Sequence, residues 1–136
     1  MPQDLIFAPM GVLAFLTFAV LGLIPVTRFR AGAAGHITTD DFKLGESPRV
    51  PPNVAITNRN YMNLLEVPML FYVGGLMYFV AGRLDRTALV IAWIYVALRA
   101  IHSLIHLTSN DVRQRLVAFG LSNVALIAFW AVFFIR

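Results

Sequence analysis

The sequence predicts an all-α integral membrane protein, a bundle of four spanning helices. Three observations carry this. The chain of 136 residues is 59% hydrophobic and only 13% charged, an apolar share well above that of ordinary soluble domains. Its apolar residues fall into four continuous runs, each close to the ~20 residues that a helix needs to cross a hydrocarbon core of ~30 Å. The runs do not alternate with polar residues, so helices and not strands are implied. A length of 136 residues fits a single domain.

The first span covers roughly residues 5–26. It follows MPQDLIF, which has an acid and no basic residue before the apolar run, so it reads as a retained helix and not a cleaved leader. The connector of roughly residues 27–58 holds Gly32, Gly35, Gly45, Pro48, Pro51 and Pro52 together with Asp40, Asp41 and Glu46. It is expected to be a polar loop with at most a short turn of helix. The second span covers roughly residues 61–82, and Arg83-Leu84-Asp85-Arg86 then makes a tight turn into the third, at roughly 87–107. A short connector leads to the fourth span, at roughly 116–135. There is no internal repeat.

Charge sets the expected orientation. Arg28, Arg30, Lys43, Arg49 and Arg113 lie on connectors one and three, with Arg59 and Arg115 beside them; the opposite side has Arg83, Arg86 and Arg136. The positive-inside rule then puts connectors one and three in the cytoplasm. The net charge of +4 is a topology signal and not a nucleic-acid surface. With no cysteine, the chain offers no disulfide, no thiolate nucleophile and no Cys-ligated metal.

The polar residues inside the spans carry the chemistry. At ~1.5 Å per residue, Glu66 on the second span and Arg99 on the third both lie roughly 8–12 Å below the cytoplasmic boundary. Each costs ~2.5–3.5 kcal/mol alone, so each needs a partner or a wet cavity. Arg59, Asn63 and Glu66 recur at helical spacing and form one stripe; Tyr95, Arg99, His102 and His106 form another. Such stripes should face each other, a neighbouring subunit or a pocket.

Several readings of the stripes stand side by side. Glu66 and Arg99 could be a buried ion pair that fixes helix register. His102 and His106 share a face and with Glu66 could offer three metal ligands, but nothing else recruits a metal and none is expected. His102, His106 and Glu66 could also form a proton or ion path, although they occupy one membrane half. Pro68 should kink or loosen the second span and free a nearby carbonyl for a side chain or ligand, or else be an ordinary proline of a membrane helix. Gly74-Gly75 reads as close helix packing. Ser103 and Ser122 have no base-and-acid arrangement of a hydrolase.

Four short spans, a long first loop and the segments "RNYMNLLEVP" and "YVALRAIHSLIHLTSNDVRQR" resemble the MAPEG superfamily, the membrane-associated proteins in eicosanoid and glutathione metabolism, in a bacterial branch. The resemblance covers nearly the whole chain and is best from Arg59 to Arg115. It implies a homotrimer with glutathione held in a cleft between subunits. It implies that Arg59 pairs with a glutathione carboxylate, that Asn63 bonds the peptide, and that Glu66 takes the γ-glutamyl amine or orients Arg99. In the family the arginine at Arg99 is followed by tyrosines three and seven residues later, and here these positions are His102 and His106. Arg113 occupies the place of the arginine that stabilises the thiolate in some members, with Arg115 nearby.

The implied function is a glutathione-dependent transferase or peroxidase, with glutathione as substrate and a hydrophobic electrophile arriving from the bilayer. The alternative is a non-enzymatic lipid-binding or accessory subunit of a larger membrane complex. The bacterial inner membrane is the implied location.

Overall fold

The computed structural model describes residues 1–136 and is helical throughout, with no strand. The helices are α1 (Phe7–Ala33), α2 (Pro52–Leu65), α3 (Pro68–Ala81), α4 (Arg86–Leu107) and α5 (Val112–Ile135), with 3-10 turns at Gln3–Ile6 and Thr39–Phe42. Four stretches are long and apolar enough to cross a membrane: Gln3–Ala33, Pro52–Ala81, Arg86–Leu107 and Val112–Ile135. The expected all-α membrane fold is therefore found, with α2 and α3 sharing one crossing.

The helix ends differ from the ends of the apolar runs, because hydropathy marks where lipid contact stops and not where backbone bonding stops. α1 continues through Arg28 and Arg30 to Ala33. Its last turn is supported from below, where Ala31, Ile37 and Val54 form a small cluster with Phe42 and Val50 against it. α2 opens at Pro52, where a missing N–H costs nothing because the first helical turn has no acceptor for it. The first connector is thereby shortened to residues 34–51. Within it, the Asp41 carboxylate accepts the Ser47 hydroxyl at 2.7 Å and the Thr38 N–H at 2.8 Å. These bonds, the Ser47 one foremost, hold its carboxyl below the ordinary aspartate range.

α4 and α5 each begin on an aspartate cap: Asp85 accepts the Ala88 N–H at 2.7 Å and Asp111 the Gln114 N–H at 2.9 Å. The Ala88 bond, followed by Arg136 at 2.7 Å, lowers the Asp85 carboxyl as well. At the same end of the bundle Gly82, at φ 64°, supplies the left-handed residue that closes α3. Gln3 clasps the turn that follows, with Oε1 accepting the Leu84 N–H at 2.7 Å and Nε2 donating to the Leu84 carbonyl at 3.2 Å.

The core is aromatic around α3. Phe71, Tyr78, Tyr95 and Phe129 stack in tilted pairs 4.7–5.4 Å apart, and the Tyr78 hydroxyl donates to the Phe129 carbonyl at 2.8 Å. Gly74 is what lets α5 approach: a Cβ there would stand 3.0 Å from the Phe129 ring and 3.3 Å from Trp130. The outer faces carry Phe15, Phe18, Val80, Leu104, Val124 and Ile127, all exposed, as lipid-facing positions require.

The second crossing breaks between α2 and α3. Pro68 has no N–H for the Leu64 carbonyl, and its ring crowds that carbonyl. Glu66 takes ψ −96°, far from helical, and the Val67 N–H makes no bond back to Asn63. The Asn63 carbonyl is left free at the centre of the bundle.

Candidate functional site

α4 packs mainly on α5 and also meets α2. Its inward face carries Tyr95, Arg99, His102, Ser103 and His106, none more than 3% exposed. From α2 the inward face is Val54, Thr57, Asn60 and Leu64, and from α5 it includes Ala118 and Ser122. A polar seam thus runs along α4 inside a single chain.

Arg99 is the centre of the seam. Its Nη2 donates to the freed Asn63 carbonyl at 2.8 Å. Its Nε and Nη1 have no partner, although the residue is completely buried. No carboxylate pairs with it, since the only ion pair in the chain joins Arg136 to Asp85, and Glu66 acts on it through space alone. The Glu66–Arg99 ion pair, one of the readings open from the sequence, is therefore not formed within the chain. Glu66 sits at the break itself, off the helical face, and is exposed.

His102 and His106 follow as a T-shaped pair with ring centroids 5.9 Å apart, and Phe119 stands 5.8 Å from His102. The Nδ1 atoms of both rings lack partners. The charged groups that act on the pair are Arg99 of α4, Arg115 of α5 and Arg59 of α2. Arg115 is tied to the α4–α5 turn, with Nη1 donating to Asn110 Oδ1 at 2.8 Å. No three His, Cys, Asp or Glu side chains converge, so Glu66 does not join the histidines as a third metal ligand.

The sequence-predicted residues separate into two groups. Arg99, His102 and His106 are brought together in the interior. Arg59 and Glu66 are exposed and Asn63 is half-buried, because the inward face of α2 is set by Thr57, Asn60 and Leu64, one residue out of phase. Arg113 is exposed and borders an apolar groove of about 470 Å³ formed by Leu98, Ile101, Ile105, Val117 and Leu121; Arg115, not Arg113, faces the histidines. A second groove of about 380 Å³, between α1 and the α2–α3 crossing, is lined by Phe18, Leu21, Tyr61, Leu65 and Tyr72.

Sequence reasoning missed Asn60 and weighed Ser103 only as a hydrolase nucleophile; both are buried and joined by a bond of 2.6 Å from Asn60 Nδ2 to Ser103 Oγ. The signal was present: Thr57, Asn60 and Leu64 recur at helical spacing, but the charged stripe beside them outweighed it.

Fold and site define a four-crossing helical membrane protein with a cationic interior seam opened by a proline break. The chain matches the model of the MAPEG family over residues 6–135 and belongs to that family. No curated protein and no solved structure matches the chain.

Proposed function

We propose that the chain is a glutathione-dependent transferase or peroxidase acting on hydrophobic electrophiles. The observation that carries this reading is Arg99: a fully buried guanidinium with two unpartnered donors and no carboxylate paired with it. Such a group is expensive in a membrane interior and marks a site for an anion. Glutathione has two carboxylates and one ammonium, which Arg99, Arg59 and Glu66 complement in number and sign. In this reading Asn63 bonds the peptide, and the exposed Arg59 and Glu66 complete the pocket against a neighbouring copy in a homotrimer. His102 and His106 line its floor.

Arg113 stabilises the thiolate, since a nearby cation favours the charged form of sulfur. The groove beside it receives the electrophile from the bilayer, and proximity does the rest. In transfer, sulfur forms a C–S bond and the leaving group departs with its electron pair. The residue 34–51 connector faces the cytoplasm of a bacterial inner membrane in this reading.

A second reading, a non-enzymatic lipid-binding or accessory subunit of a larger complex, is favoured by the two apolar grooves and by histidine at the two family tyrosine positions. Equilibrium titration of the purified oligomer with glutathione, followed by turnover of chlorodinitrobenzene, separates the two. Saturable binding lost in Arg99→Met supports the enzyme; a folded oligomer that binds no glutathione at millimolar concentration refutes it.

A further inference from the structure

The bundle end formed by the α3–α4 turn and the close of α5 lies away from every residue of the glutathione reading. There, an apolar groove of about 420 Å³ is lined by Val73, Leu76, Met77, Val80 and Ala81 of α3 and by Phe133 of α5. The α3 residues recur at helical spacing and form one stripe. From Val73 to Ala81 the stripe is roughly 12 Å long at ~1.5 Å per residue. That is close to the depth of one leaflet, half of a hydrocarbon core of ~30 Å. The groove opens at the membrane boundary, since one crossing ends at Ala81 and the next begins at Arg86.

At that opening, the same Phe133 also walls a polar pocket of about 210 Å³, together with Arg83, Asp85, Val132 and Arg136. The Arg83 guanidinium stands 5.2 Å from the Phe133 ring centroid and pairs with no carboxylate. Arg136 is held from one side: its Nη1 donates to Asp85 Oδ2 at 2.7 Å and to Thr87 Oγ1 at 2.9 Å. Asp85 is engaged twice, by Arg136 and by the Ala88 N–H at the start of α4. Two guanidiniums against one engaged carboxylate leave the pocket cationic, and their planar forks suit a phosphate. The groove beside α1, by contrast, has no charged residue on its wall. Charge also disfavours a second copy of the chain on this face. The end carries Arg83, Arg86 and Arg136 against Asp4 and Asp85, so copies meeting there would set like charge against like.

We propose that groove and pocket together seat one phospholipid with an anionic head group. Its phosphate lies between Arg83 and Arg136, and one acyl chain runs along the α3 stripe towards the middle of the bilayer. The lipid thereby fastens the α3–α4 turn to the end of α5. The site does not depend on the glutathione reading, because Arg113 lies at the other end of α5.

Native mass spectrometry of the detergent-solubilised protein, titrated with dioleoylphosphatidylglycerol, tests this. Wild type should retain one such lipid per chain, about tenfold more tightly than dioleoylphosphatidylcholine, whose choline offsets the phosphate charge. Arg83→Gln should weaken retention about tenfold by removing one charged donor. Leu76→Trp, which fills the groove and leaves the arginines in place, should weaken it as well. Arg86→Gln, at the same end but outside the pocket, should bind as wild type does. Equal retention of the two lipids, or unchanged affinity in Arg83→Gln, overturns the head-group site. Unchanged affinity in Leu76→Trp overturns the seated chain. Equal weakening in Arg86→Gln and Arg83→Gln reduces the effect to diffuse attraction and overturns the site. Displacement of the lipid by an equal concentration of inorganic phosphate or glycerophosphoglycerol would show a phosphate pocket and no lipid site. The chain has no cysteine of its own, so rapid disulfide formation between copies of Val80→Cys would show a second copy on the groove and overturn the proposal.

Discussion

Replacing Arg99 by methionine should leave the ligand-free protein about as stable while abolishing glutathione binding. Arg99 is completely buried and makes one bond, from Nη2 to the Asn63 carbonyl at 2.8 Å. Its Nε and Nη1 are unpartnered, and each such donor costs ~1–3 kcal/mol. Against this stand the bond to Asn63, charge-assisted and worth ~1.5–3 kcal/mol, and ~1–3 kcal/mol for the Asn63 carbonyl left without a donor. The aliphatic stem is replaced by the methionine chain with little change in packing. The two sides cancel to within about 2 kcal/mol, in line with other exchanges of buried charge for apolar side chains. Reversible unfolding in mixed micelles measures the stability, and calorimetric titration measures the binding. Should Arg99→Met lose more than ~2 kcal/mol, the guanidinium is a satisfied structural group and the anion-receptor argument fails.

Pro68→Ala should return an N–H to the Leu64 carbonyl and draw the break towards helix, so that Val67 competes for the Asn63 carbonyl. Loss of one bond to Arg99 then weakens glutathione binding about tenfold, and unchanged affinity by calorimetry would show that the break does not free that carbonyl. Gly74→Ala should cost ~1–3 kcal/mol because its Cβ meets the Phe129 and Trp130 rings, whereas Gly75→Ala meets the flexible end of Met10 and should cost less; thermal unfolding ranks them, and the reverse order refutes the packing argument. Asp41 has a lowered carboxyl, so its bonds to Ser47 and Thr38 are fully present above the ordinary aspartate value of ~3.9 and are lost as pH falls through its lower folded value. Proteolysis of the residue 34–51 connector should therefore rise at that acid limb in wild type and show no such limb in Asp41→Asn; identical profiles would remove the role of Asp41.

The crossings were legible because four apolar runs are a property of composition along the chain, and lipid leaves helices as the only way to satisfy them. A kink or loosening at Pro68 was legible for a similar reason, since a missing N–H is a property of the residue itself, but the full division into α2 and α3 was not. The inward placement of Arg99, His102 and His106 followed from their common stripe on α4. The partner of Arg99 did not follow. Depth along a helix can be counted from sequence, but the angle at which α2 presents its residues depends on which neighbours fill the gap. Thr57, Asn60 and Leu64 fill it, and Asn60 finds Ser103 across the interface. Glu66 is thereby turned outward, and a backbone carbonyl, invisible to any search for charged partners, meets the guanidinium.

The interruption at Glu66 and Val67 also divides one crossing into two rods with separate fastenings. The α3 rod, through its own Phe71 and Tyr78, is wedged against Tyr95 and Phe129 and behaves as a fixed post. The α2 rod is linked to α4 through Asn60–Ser103 and Asn63–Arg99, so its set is decided by two polar latches near the seam. A guest that docks on the free Nε and Nη1 of Arg99 meets a guanidinium already positioned by one of those latches, and arrival at the seam is thereby coupled to the tilt of a lever that carries Arg59 at the far side of the joint.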